Sequence, residues 1–173
     1  LAVVRLAAAS LLTLPAWRRS ATASSRSPSA PLPPGTRART VAAGALLGVH
    51  FATWLPSLAF TSIAASTTIV TSGPVWVVLM LWILKGQRPT AATLVGVGVA
   101  IAGGAVLALG EGEGSAGSDP LLGNLLALVA AITYAGHLLL GQSVQARGLG
   151  LWRWTAVVAG VGAATVLPLA LAV

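Results

Sequence analysis

Runs of about 20 mostly apolar residues recur from one end of this chain to the other, and a lipid bilayer is the medium that suits them. Six such stretches stand out: Leu1 to Trp17, Val41 to Phe60, Ile63 to Leu84, Ala91 to Leu109, Leu121 to Leu140 and Trp154 to Val173. Only 8% of the 173 residues are charged, against about 25% in a soluble domain. The mean hydropathy of +0.90 says the same. Strands of a membrane barrel would alternate polar and apolar residues over roughly ten positions, and these stretches do not. The expected fold is therefore an all-α integral membrane bundle of about six spans.

The charges sort themselves by loop. Arg18, Arg19, Arg26, Arg37 and Arg39 follow the first span, Lys85 and Arg88 the third, and Arg147 and Arg153 the fifth. The turn "FTS" after the second span has no basic residue, and "GEGEGSAGSD" after the fourth holds all three acids, Glu111, Glu113 and Asp119. With basic loops inside, loops 18–40, 85–90 and 141–153 are cytoplasmic and loop 110–120 is periplasmic. A net charge of +7 distributed in this way reports topology and gives no reason to expect nucleic acid. The loop "RRSATASSRSPSAPLPPGTRAR" is too polar to fold alone. Leu1 and the apolar ending "VLPLALAV" read as the cut ends of a longer protein, and the heavy use of Ala, Gly and Arg suggests a bacterial source.

Small residues at i+4 spacing mark faces where helix backbones can approach. They are Gly44 and Gly48; Ala92, Gly96, Ala100, Gly104 and Ala108; and Ala156, Gly160 and Ala164. Tight packing accounts for all of them without invoking function.

Chemistry is confined to a few positions. Arg5 lies twelve residues from Trp17, about 18 Å deep, where a charge normally meets a partner or a cavity; the alternative is contact with outer headgroups or helix carbonyls. His50 falls about 15 Å into its span, with Trp54 one turn further on the same face. His137 is one turn from Tyr134. An imidazole titrates near neutrality and can carry protons, but a membrane histidine more often donates a hydrogen bond to a neighbouring helix. Two histidines on separate helices could ligate a metal, but no cysteine or carboxylate joins them; a thiol nucleophile and paired acid/base carboxylates inside the spans are excluded. No GxSxG, HExxH or GxxxxGK[ST] pattern occurs. The chain is read as a non-enzyme without a cofactor.

The third span stands apart. Seven hydroxyl side chains lie between Thr61 and Ser72, followed by Gly73-Pro74 and then a purely apolar run. Pro74, about 18 Å from the outer end, must interrupt the helix near the midplane. Thr67, Thr71, Ser72 and Pro74 are expected to line a cavity facing His50 and Trp54, since open backbone at that depth needs protein or water beside it. The competing reading is that the hydroxyls bond their own helix carbonyls and soften the helix.

The segment "HFATWLPSLAFTSIAASTTIVTSGPVWVVLMLWILKGQRPTAATLVGVGVAIAGGAVLAL" resembles the EamA-like family of the drug/metabolite transporter superfamily. The matching pieces are Leu58 to Ala65, Pro74, "KGQRPT" and Gly96 to Gly104; "DPLLGNLLALVAAITYAGHLLLG" resembles the opening helix of the family's second repeat, with Gly123, Leu126, Ala127, Ala131 and Tyr134 in step. Arg5 matches a recurrent arginine. Gln87 stands where the family usually has Glu. The resemblance implies a ten-helix fold of two inverted repeats around a central cavity. Residues 1–110 would give most of the first repeat and 111–173 the start of the second.

The expectation that follows is a secondary transporter, an exporter of small polar metabolites or drugs, in the bacterial inner membrane. Arg5, His50, Trp54, Thr67, Thr71, Ser72, Pro74, Tyr134 and His137 are its candidate substrate-binding residues, and proton coupling and a homodimer are open to it. The alternative is a non-transporting scaffold or regulatory subunit assembled through the small-residue faces. Such a scaffold has no use for the hydroxyl-rich break at Pro74.

Overall fold

The computed structural model describes residues 4, 7–9, 11–13, 15, 33–109 and 117–171, and among them every regular element is helical. Residues 4, 7–9, 11–13 and 15 are helical; Arg5 lies outside the described residues. Six helices follow: α1 (Thr36–Phe60), α2 (Ile63–Thr71), α3 (Gly73–Lys85), α4 (Ala91–Leu109), α5 (Pro120–Gln145) and α6 (Leu151–Leu171). Among the described residues, three helical segments are long and apolar enough to cross a bilayer: Thr36–Phe60, Ile63–Lys85 and Pro120–Gln145.

Local chemistry sets the helix ends. Gly35, at φ 77°, turns the chain into α1, and its carbonyl accepts from the Arg39 N–H at 3.0 Å. Ser62 caps α2 by accepting the Ala65 N–H at 3.0 Å. Gly86, left-handed at φ 64°, closes α3, and the Gln87 N–H returns to the Leu81 carbonyl at 3.2 Å. Thr90 accepts the Thr93 N–H at the head of α4. Asp119 accepts the Leu122 N–H at 3.1 Å, with Pro120 as the first residue of α5. Both α5, which runs to Gln145, and α6, which starts at Leu151, extend beyond the apolar runs that announce them.

The chain forms two compact units, one of residues Leu1–Val49 with His137–Val173 and one of His50–Gly136. In the first, Ala43, Val144, Leu149, Trp154 and Val158 form a buried core with Leu47 and Leu140 packed on it. Gly44 and Gly48 press α1 onto α6. A Cβ on Gly44 would stand 2.7 Å from the Val161 Cβ, and one on Gly48 2.5 Å from the Thr165 Cβ. The face of α6 that receives them carries Val158, Val161, Gly162 and Thr165, while Ala164 of the expected small-residue face is exposed.

In the second unit Val70, Ala127 and Ala130 are buried together with Trp54 and Ile69 beside them. The small-residue face of α4 departs from expectation. Ala92, Gly96 and Ala100 are exposed, and a Cβ on Gly96 would meet nothing within 4 Å. Only Gly104 makes a close approach: a Cβ there would lie 2.6 Å from the Thr68 Cγ2. Regular i+4 spacing identifies a face without saying whether anything packs on it.

Candidate functional site

The third apolar run is two helices. α2 ends at Thr71 and α3 begins at Gly73, with Ser72 (φ −66°, ψ 1°) as the shared cap. The cause is Pro74, whose ring has no N–H and occupies the first turn of α3. Ser72 organises the break from both sides. Its Oγ donates to the Ile69 carbonyl at 2.6 Å and accepts from the Trp76 indole N–H at 3.1 Å. The Val75 N–H reaches back only three residues, to the Ser72 carbonyl.

The break touches an aromatic group. A Cβ on buried Gly73 would lie 3.6 Å from Tyr134 Cδ1, in ordinary contact. The Tyr134 ring is 5.0 Å from the His50 ring, and His50 is 5.5 Å from Trp54. Phe51 closes the cluster, 4.9 Å from His50 and 6.2 Å from Trp54. His50 is only 4% exposed and its Nδ1 donates to the Ala130 carbonyl at 2.9 Å. The i+4 spacing of His50 and Trp54 puts both on the α1 face that meets α5.

The hydroxyls divide into engaged and unengaged. Thr67 donates to the Ile63 and Ala64 carbonyls, and Thr71 to Thr68. Thr71 and Pro74 are exposed. It is Ile69 and Val70 that share a cluster with Trp54, and Ser66 that meets α1, at 2.7 Å from the Ser57 hydroxyl. The expected facing of Thr67 and Thr71 towards His50 and Trp54 is thus corrected. A helix presents a new face every 100°, so Thr67 and Thr71 point elsewhere when Ser66 and Val70 are the buried pair. Among the described residues, two buried polar atoms of this unit have no hydrogen-bond partner, Trp54 Nε1 and Thr68 Oγ1.

Residues not foreseen complete one end of this unit. Thr61 donates to Asn124 Oδ1 at 2.9 Å, and the Asp119 N–H donates to the Phe60 carbonyl at 3.1 Å. Gly123 permits the approach, since a Cβ there would lie 2.6 Å from the Thr61 backbone nitrogen. A lone Asn near a helix start gives little signal in a sequence. Its partner across 63 positions is visible only in space.

His137 belongs to the other unit. Its Nδ1 donates to the Ala43 carbonyl at 3.0 Å, and its ring lies 5.8 Å from Trp154. Both histidines therefore spend Nδ1 on a carbonyl of a facing helix, as the interhelical reading anticipates. Among the described residues no three His, Cys, Asp or Glu side chains come together.

Comparison with protein-family models, with curated proteins and with solved structures finds no match to this chain.

Proposed function

We propose that this protein is a secondary transporter, an exporter of small polar metabolites or drugs across a bacterial inner membrane, and a member of the EamA-like group with a ten-helix inverted-repeat fold. One observation carries the reading. The Tyr134 ring links the broken helix at Gly73 to the His50 ring, so the interrupted backbone and the aromatic cluster are one continuous feature. Broken helices beside polar and aromatic side chains at mid-membrane are how transporters build substrate sites. His50, Trp54 and Tyr134 form the core of that site, with Ser72 and Pro74 shaping the break. The six-span count, the cytoplasmic placement of loops 18–40, 85–90 and 141–153, and the inner membrane belong to the same proposal.

The scaffold reading has its own support in the open face of α4, where a Cβ on Gly96, Gly98 or Gly103 would meet nothing within 4 Å among the described residues. The two readings separate in one experiment. Cells carrying the full-length gene are compared with a deletion strain for efflux of a panel of amino acids, nucleosides and cytotoxic drugs, and Pro74→Ala is run beside them. A transporter exports at least one of these solutes, and Pro74→Ala slows export with expression unchanged. Equal efflux with and without the gene across the panel sinks the proposal.

A further inference from the structure

Three helix ends meet in the first unit. Arg147, two residues past the end of α5, donates from Nη1 to the carbonyl of Pro34, two residues before α1, at 3.2 Å. A buried core fixes the same end: Ala43 of α1, Val144 of α5, Leu149 of the connecting turn and Trp154 of α6 all belong to it. Gly148, at φ 89°, turns the chain from α5 towards α6. The first turn of α1, the last turn of α5 and the first turn of α6 are therefore neighbours.

This end is basic and has no acid to balance it. Arg37 and Arg147 are exposed and Arg39 is half-buried. The chain's three acids are Glu111, Glu113 and Asp119, and none of them lies in residues 1–49 or 137–173, which make up this unit. A guanidinium stays charged at physiological pH and fits phosphate oxygens two at a time. Three of them on one surface leave positive charge for an external anion to neutralise. Depth says which anion. α1 and α5 have 25 and 26 residues, about 38 Å at 1.5 Å per residue, against a hydrocarbon core of about 30 Å. Arg37 and Arg39 precede the apolar run that begins at Val41, and Arg147 follows the one that ends at Leu140. They stand at the level of lipid headgroups. Leu151 and Trp152, 59% and 45% exposed, open α6 at this same end, and an exposed indole suits the boundary between headgroups and acyl chains.

We infer that Arg37, Arg39 and Arg147 form a binding surface for an anionic phospholipid, whose phosphate takes the guanidinium groups while its acyl chains lie beside Leu151 and Trp152. Basic clusters at the ends of spanning helices hold such headgroups by charge. A zwitterionic lipid brings an ammonium group that the arginines repel, so the surface selects for net negative charge. The inference rests on α1 and α5 crossing a bilayer and is independent of what the protein transports.

The full chain is purified in detergent, and its thermal midpoint is followed as phosphatidylglycerol, or phosphatidylcholine with the same acyl chains, is added to the micelles. Phosphatidylglycerol raises the midpoint in a saturable way, more strongly at low salt; phosphatidylcholine and inorganic phosphate do not. Arg37→Gln and Arg147→Gln each weaken the phosphatidylglycerol effect about fivefold. Arg147→Lys, which keeps the charge, stays close to the parent. Arg88→Gln removes an exposed arginine of the other unit and binds like the parent. Equal responses to the two lipids overturn the inference, as does parental affinity in both Arg37→Gln and Arg147→Gln. An equal loss in Arg88→Gln overturns it too, since the attraction would then be diffuse, and so does saturation by inorganic phosphate. Alkaline carbonate extraction of membranes reads the embedding separately. A chain released by it sinks the membrane reading and the inference together, whereas an embedded chain without lipid preference sinks the inference alone.

Discussion

The Nδ1 atom of His50 stands 2.9 Å from the carbonyl oxygen of Ala130. A carbonyl can only accept, so the imidazole donates and carries a proton on Nδ1. The Ala130 carbonyl also accepts from the Thr133 hydroxyl at 3.1 Å, which limits what is lost when His50 is replaced. His50→Phe keeps a ring in the cluster and leaves that oxygen with another donor, so it should cost about 1 kcal/mol. Denaturant or thermal unfolding in detergent measures it; a loss above about 3 kcal/mol would mean that the clasp is not the main thing His50 does.

Glycines that look alike in the sequence should behave oppositely. Gly48→Ala would put a methyl 2.5 Å from the Thr165 Cβ and 3.0 Å from the Gly162 carbonyl, and should destabilise by about 1–3 kcal/mol. Gly96→Ala meets nothing within 4 Å and removes backbone freedom, so it should be neutral or stabilise by up to about 1 kcal/mol. Thermal midpoints of the two variants test this directly. A strongly destabilised Gly96→Ala would show that the face of α4 is covered in the assembled protein.

The turn between α1 and α2 depends on a pair. Thr61 is 5% exposed and gives its hydroxyl proton to Asn124. Asn124→Leu strands that hydroxyl and should cost about 1–3 kcal/mol. Adding Thr61→Val removes the stranded group, so the double variant should be more stable than Asn124→Leu alone. Strict additivity in the double-mutant cycle would deny the coupling.

Topology can be read with a thiol, because the chain has no cysteine of its own. Ser118→Cys, in the loop before α5, should react with an impermeant maleimide added to intact cells. Gln87→Cys, after α3, should react only once the membrane is opened. The reverse pattern would invert the orientation.

Transport should respond to the shape of the break more than to its outward hydroxyls. Thr71→Val removes an exposed group that bonds only within its own helix, so it should leave export near the parental rate. Ser72→Ala removes the contacts to Ile69 and Trp76 together and should alter the rate several-fold. Equal rates for the two variants in the efflux assay would deny Ser72 its role.

Apolar run length and the placement of Pro, Gly and capping residues determined most of the secondary structure. These are local effects: a span needs about 20 apolar residues, Pro74 cannot donate, Gly86 can turn left-handed, and Asp119 can cap. The helix break at Ser72 was legible for that reason, and so was the shared face of His50 and Trp54. What only the tertiary structure decided is which faces meet. Gly44, Gly48, Gly96 and Gly104 all sit in small-residue patterns, yet Gly96 packs against nothing among the described residues and the other three are crowded. Thr67, Thr68 and Thr71 are equivalent in composition, but a rotation of one residue decides which bonds its own helix and which is buried without a partner. Tyr134 met Gly73, and Asn124 met Thr61, across more than sixty positions. Periodicity names a helix face; the identity of its neighbour depends on contacts between residues distant in the chain, and those exist only once the helices are folded together.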